Sequence, residues 1–222
     1  MLSTDADLDR ALAHLAADGL VAFPTETTWG LGASARRPRA VERLRNFKGR
    51  DANQPISVLI SSPAVLATLD CEVEPRARLW VEALWPGPLT LVLPFRGDEA
   101  EFAAGILSEK RGLGVRCSPH PVAGALVLAA EARGLGPLTA TSCNVSGEPA
   151  AATRSEARAV CGSGDDAPLV LAWGADAGGE APSTVVEALG EARVLREGAI
   201  SKQRLCEIVE LSGIERAPSE SL

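Results

Sequence analysis

The feature that most restricts this chain is a recurrence of short apolar runs, many of them bounded by glycine or proline, with helical patterns interleaved between them. Runs at 20–23, 56–60, 89–93, 113–117, 138–142, 169–173, 184–188 and 194–196 have strand length and composition. Pro24 closes the first, and Ser118-Pro119-His120-Pro121 turns the chain after the fourth. Between them, helical periodicity predicts a first helix with Leu8, Leu12 and Leu15 on one face, capped by Ser3 or Thr4 and ended by Gly19. Further helices are predicted over 38–47, 63–69, 75–84, 122–132, 153–160 and 201–209. The segment between the first two strand runs reads as a polar loop, 25–28, running into Trp29-Gly30-Leu31-Gly32. Such interleaving implies an α/β or mixed α+β sheet with covered faces, and ligand sites in the loops at the strand ends. No linker divides the chain, so residues 5–212 are expected to form one domain and 213–222 a flexible C-terminal tail.

Charge narrows the function. With 22 basic and 29 acidic residues the net charge is −7, which excludes a generally basic nucleic-acid-binding surface. The exception is local: Arg36, Arg37, Arg39, Arg43, Arg45, Lys48 and Arg50 face only Glu42, an excess of +6 in fifteen residues. A run of this kind ordinarily faces water, and the alternative is a field source for an anionic ligand. Two histidines and five cysteines without C-x-x-C spacing leave little for a zinc site, and scattered, odd-numbered cysteines fit reduced thiols in a cytosol. The longest apolar stretch, 124–130, is too short to span a bilayer, and no secretory segment is expected.

The familiar nucleotide signatures are missing: neither G-x-x-x-x-G-K-[ST] nor G-x-G-x-x-G after a strand occurs. His14, in a helix of alanines and leucines, is expected at a helix surface, and His120, between prolines, is expected to shape a turn. What remains is one chemistry repeated at strand ends. Thr25-Glu26-Thr27-Thr28, Lys48-Gly49-Arg50, Arg116, Ser142 with Asn144, Ser183-Thr184, and Arg196 offer hydroxyls and cations suited to carboxylate or phosphate.

These residues fall in segments that resemble a known family. Residues 24–32, PTETTWGLG, resemble the P-T-E-T-x-Y/W-G-L loop of YrdC-like domains, and Lys48-Gly49-Arg50 with Gln54-Pro55-Ile56-Ser57 resembles their K-x-R-x-x-x-x-P-[LI]-S segment. Trp85-Pro86-Gly87-Pro88-Leu89-Thr90 is similar to W-P-G-P-L-T, and residues 115–121 are similar to V-R-x-P-x-H-P. Ser142-Cys143-Asn144-Val145-Ser146-Gly147 resembles S-A-N-x-S-G, and Pro182-Ser183-Thr184-Val185-Val186 resembles P-S-T-V-V. The six motifs occur in order across 20–199 and are jointly specific.

The resemblance implies a twisted mixed sheet flanked by helices with a concave active site, and L-threonylcarbamoyladenylate synthase activity in a cytoplasmic enzyme. Such enzymes combine L-threonine, bicarbonate and ATP into threonylcarbamoyl-AMP and pyrophosphate. A tRNA-modifying transfer complex then uses the product next to the anticodon. Carried over by motif, Lys48, Arg50 and Arg116 would be catalytic. Thr25, Trp29, Arg116, Ala140 and Ser183 would meet threonine, and Lys48, Arg50, Gln54, Ser142, Asn144 and Arg196 would meet ATP. Trp29 would stack on or wall the pocket, unless it is a plain core aromatic. The resemblance implies no protein-held metal, with Mg²⁺ carried mainly by the triphosphate. It also leaves room for a weak tRNA contact. Gln54, Leu59 and Cys143 depart from the family pattern, and Glu26 has no assigned role. The competing readings are a carbamoyl-adenylate-using transferase and a non-catalytic RNA-binding module. The longer members' second, C-terminal domain is not expected here.

Overall fold

A computed structural model describes residues 4–49, 54–179 and 181–211. Two sheets organise it. The first, of four strands, runs β7 (Thr141–Ser142), β2 (Trp29–Gly32), β1 (Val21–Pro24), β8 (Leu169–Val170). The second, of six, runs β10 (Arg193–Arg196), β9 (Thr184–Glu187), β4 (Leu89–Pro94), β5 (Gly112–Cys117), β3 (Val58–Ile60), β6 (Leu138–Thr139). Pairing is mixed: β4 is antiparallel to β5 and parallel to β9, while β3 is parallel to β5 and antiparallel to β6. Helices α1 (Thr4–Ala16), α2 (Pro38–Lys48), α3 (Pro75–Leu84), α4 (Pro121–Ala132), α5 (Arg154–Cys161) and α6 (Lys202–Leu211) connect or flank the strands. The expected mixed α/β architecture is the one observed.

Two assignments change. The Trp29-Gly30-Leu31-Gly32 segment is a strand, β2, forming a hairpin with β1 in which Val21 pairs Gly32 and Pro24 pairs Trp29. Its two glycines hid the strand signal, and both are needed there. A side chain on Gly32 would come 2.7 Å from the Phe23 ring, and one on Gly30 3.2 Å from it. The run 138–142 is not one strand. It crosses at Ala140 from the six-stranded to the four-stranded sheet, with the Ala140 amide on Ser57 O at 2.6 Å. The short helix expected over 63–69 is a 3₁₀ helix, Pro63–Thr68.

The core follows strand periodicity. On the six-stranded sheet, Val58, Ile60, Leu89, Leu91, Leu93, Leu113, Val115, Cys117 and Val186 join one large apolar cluster. α3 and α6 lie together, and Trp80 Nε1 donates to Leu205 O at 2.9 Å. A second cluster forms between α1, α4 and the β1–β3 region, with Leu12, Leu15, Phe23, Leu126 and Leu138. His14 is half-buried rather than on the surface. Gly19 has no side chain, and one there would collide with the His14 ring. His120 shapes a turn as expected and caps α4, its Nδ1 accepting from Val122 N. No helix among the described residues is long and apolar enough to cross a membrane. The expected tail, 213–222, lies outside the described residues.

Leu91 is fully buried mid-strand. Leu91→Ala is expected to cost about 2–5 kcal/mol, read from urea unfolding. Burial lowers the pKa of both His14 and His120 below 6.5. A histidine whose folded pKa is depressed favours the folded state above its unfolded pKa, and that contribution is lost as pH falls below 6.5 because the unfolded chain then binds more protons. The urea midpoint is expected to drop between about pH 7.5 and 5.5, and a His14→Gln/His120→Asn variant is expected to show a smaller drop.

Candidate active site

The alternation that buries one face of the six-stranded sheet leaves the other facing a concavity of about 660 Å³. Its floor is Ser57 and Leu59 beside β5's Gly112, Gly114 and Arg116, then Thr90 and Val92 of β4, then Val185 and Glu187 of β9. The register sets Arg116 opposite Thr90 on one side and Leu59 on the other. The two glycines keep the floor low: a side chain on Gly114 would sit 2.5 Å from Ser57 Oγ, and one on Gly112 2.7 Å from Val92. Walls come from Thr25, Thr27 and Thr28 of the β1–β2 turn, Gln54 and Pro55, Ala140, Thr141, Ser142 and Asn144 around β7, Ser183, and Arg196 of β10. A volume of this order suits a small-molecule ligand.

Three polar groups converge on the cavity. In the first, Arg116 Nη2 donates to Glu26 Oε1 at 2.7 Å and to Thr27 Oγ1 at 2.8 Å. Ser118 Oγ donates to the other Glu26 oxygen at 2.5 Å. Thr25 Oγ1 donates to Thr28 O at 2.7 Å, accepts from Thr27 N, and lies 3.0 Å from Thr27 Oγ1. Arg116 is buried, and its Nε has no hydrogen-bond partner among the described residues. Buried N–H groups ordinarily find partners, and this one, on a residue that lines the cavity, has none among the described residues.

In the second, Lys48 is buried at the end of α2 and donates through Nζ to Ser142 O at 2.5 Å, Asn144 O at 2.9 Å and Asn144 Oδ1 at 2.7 Å. Asn144 Oδ1 also accepts from Ser142 Oγ at 2.7 Å. Gly49 ends the helix in a left-handed conformation, φ 59°. In the third, Thr90 Oγ1 and Ser183 Oγ lie 3.0 Å apart, and Arg196 Nη2 donates to Ser183 O at 2.8 Å and Ser183 Oγ at 3.2 Å. Arg196 belongs to an exposed edge strand, yet its guanidinium folds inward. Burial, with the nearby charge of Arg116, holds its pKa below the usual arginine value. Two like charges near one cavity favour an anion between them.

Nine residues expected at the site therefore line the cavity: Thr25, Lys48, Gln54, Arg116, Ala140, Ser142, Asn144, Ser183 and Arg196. Trp29 does not. Its side chain has no solvent exposure and packs in the main core, because β2 turns Trp29 and Leu31 inward and Gly30 toward the cavity. The core-aromatic alternative is the observed one. Arg50 lies outside the described residues. The basic segment is not a free field source. Arg36 pairs with Glu101 at 2.7 Å, Arg37 with Asp18, and Arg43 with Asp166 at 3.1 Å. Arg45 donates to the carbonyls of Gln54 and Gly105, steadying the segment that carries Gln54.

Sequence reasoning gives no individual role to Glu26, Ser118 and Thr90, and takes Thr27 only as one hydroxyl of the Thr25–Thr28 loop. For Thr90, strand alternation across from Arg116 was the available signal. The Glu26–Arg116 contact joins residues ninety positions apart and had no signal in spacing. Among the described residues no three His, Cys, Asp or Glu side chains cluster as metal ligands.

Residues 13–198 match the Sua5/YciO/YrdC family model, described as Telomere recombination. The chain is 42% identical over 151 residues to a threonylcarbamoyl-AMP synthase of Xanthomonas euvesicatoria pv. vesicatoria, covering 67% of this chain and 77% of that one. It superposes on P. abyssi Sua5 complexed with L-threonine with a TM-score of 0.79 and 30% identity, covering 91% of this chain and 57% of that longer one. Its fold is also that of E. coli YciO, with a TM-score of 0.73 at 22% identity, over 89% of this chain and 92% of that one. By the extent of the family match and the identity to these relatives, the chain belongs to the Sua5/YciO/YrdC family.

Proposed function

We propose that this chain is a threonylcarbamoyl-AMP synthase, forming threonylcarbamoyl-AMP and pyrophosphate from L-threonine, bicarbonate and ATP. The observation that carries the reading is the convergence of Lys48, Arg116 and Arg196 with several hydroxyls on one cavity, in a chain similar to proteins of that name. In the reaction a carboxylate oxygen of N-carboxy-threonine attacks the α-phosphorus. The new O–P bond forms as the bond to pyrophosphate breaks. Negative charge grows on the phosphoryl oxygens, and preorganised cations and N–H donors lower that barrier without reorganising.

The roles divide by position. Thr25, Arg116, Ala140 and Ser183 face threonine, and the free Arg116 Nε suits its carboxylate. Ser142, Asn144, Gln54 and Arg196 face the nucleotide, with Arg50 added from the motif. Lys48 contributes its charge and fixes the Ser142–Asn144 loop through the three bonds it donates. Glu26 is a positioning residue: it holds one end of the Arg116 guanidinium and lets the rest project. Magnesium enters with ATP as part of the substrate, since the described donors are cations and hydroxyls rather than a carboxylate cluster. The product passes to a tRNA-modifying transfer complex in the cytoplasm. An RNA-binding module is disfavoured by the pairing of Arg36, Arg37 and Arg43 with carboxylates.

Pyrophosphate release is expected to require both L-threonine and bicarbonate. Equal release without threonine, or none in any condition, sinks the assignment. Arg50→Ala and Arg116→Ala are each expected to lower kcat/KM at least about tenfold. Glu26→Gln keeps a hydrogen bond to Arg116 but removes the charge. It is expected to raise KM for threonine more than it lowers kcat, and wild-type KM would remove Glu26 from the site.

A further inference from the structure

Cys143 stands where the family pattern has alanine, between the two residues proposed to meet the nucleotide. Its Sγ lies 3.8 Å from Sγ of Cys161, the last residue of α5. All five cysteines are free thiols, and this is the only sulfur–sulfur contact among the described residues. Cys143 is fully buried and Cys161 is 5% exposed. The Cys143 backbone is tied on both sides, its N–H donating to Trp29 O at 2.8 Å and its carbonyl accepting from Ala151 N at 3.0 Å. The Cys161 thiol, donating to Cys143, stabilises its thiolate, and the Lys48 ammonium adds to this against the opposing effect of burial. Cys161 is pushed the other way, first by the same contact. Either sulfur can attack and the other resolve across this 3.8 Å contact, and the nearby Lys48 ammonium favours Cys143 as the attacking one.

We propose that Cys143 and Cys161 are an oxidisable dithiol, closed by hydroperoxide into a disulfide that draws the Ser142–Asn144 loop out of its working geometry. The Cys143 thiolate attacks a peroxide oxygen. An S–O bond forms, the O–O bond breaks, and hydroxide leaves. The Cys161 sulfur then attacks the sulfenic sulfur. The S–S bond forms, the S–O bond breaks, and the departing oxygen leaves as water with the Cys161 proton. Two thiols lose two electrons and hydrogen peroxide becomes two waters. A disulfide is about 2.05 Å long, so the sulfurs must close by roughly 1.8 Å. Cys161 is held by a helix whose start is locked in a reciprocal Thr153–Glu156 cap. The closure of roughly 1.8 Å is shared between the Ser142–Asn144 loop and the end of α5, and a misplacement of about 1 Å at the loop is worth up to about a hundredfold in rate.

The effect on turnover rests on the synthase reading, but the crosslink does not, and one experiment separates them. Reduced full-length protein is treated with hydrogen peroxide, alkylated and digested, and pyrophosphate release is measured in parallel. The expected results are a peptide joining Cys143 to Cys161, a fall in activity of at least about tenfold, and recovery with dithiothreitol. Cys161→Ser is expected to keep its activity before and after peroxide, with Cys161→Ala replacing it if the serine variant does not fold. Sulfenic or sulfinic acid at Cys143 without the crosslink overturns the proposal. So does a crosslink with unchanged activity, or equal inhibition of Cys161→Ser. A reduced protein that releases no pyrophosphate overturns the synthase reading alone, and the mapped crosslink still decides whether the dithiol exists.

Discussion

The two-residue period of the six-stranded sheet governs both stability and site. Odd and even positions cannot share a face, so the residues that bury against the main core commit their neighbours to the opposite side. Leu89, Leu91 and Leu93 pack inward, and Thr90 and Val92 are thereby committed to the cavity. Val115 and Cys117 do the same for Gly114 and Arg116. A register slip of one residue would place a guanidinium in the apolar core and leucines in the cavity. Each extended strand is thus held in place by two independent penalties.

Electrostatics completes what alternation begins. A buried cation without partners is costly, and the two described buried cations at this site are held by loops distant in sequence, Arg116 by Glu26 and Thr27 and Lys48 by Ser142 and Asn144, while the more exposed Arg196 is tied to Ser183. The loops depend on the cations in turn. The Ser142–Asn144 turn converges its acceptors on one ammonium, and the Glu26 carboxylate is satisfied by Arg116 and Ser118. Charge and loop order are one property here, set up before any ligand arrives.

Much of the fold could be read from residue patterns. The periodic helices appeared close to their predicted bounds, α3 at 75–84 without change, because an amphipathic stripe and a bounding proline act locally. The strand at Trp29–Gly32 was missed because its reason for existing is a neighbour: the glycines make room for Phe23 across the hairpin. The split of 138–142 was equally invisible, since it depends on two separate sheets competing for adjacent residues. At the site, motif order found the hydroxyl and cation positions. It leaves Trp29 open between pocket wall and core aromatic, because the inward direction of that side chain follows only once β2 is known to be a strand. Glu26 could not be given a role, because its meaning lies in one oxygen meeting Arg116.

Ala140 joins the two sheets as a single residue, with β6 on one side and β7 on the other. The parts of the cavity wall on the six-stranded and the four-stranded sheet are thus joined by one continuous strand path and cannot be exchanged as modules. A chimera cut at this corner would inherit one parent's spacing between the sheets and the other's lining. Specificity for one substrate is then expected to drift together with specificity for the other, so change at this site proceeds through loop composition rather than through exchange of blocks.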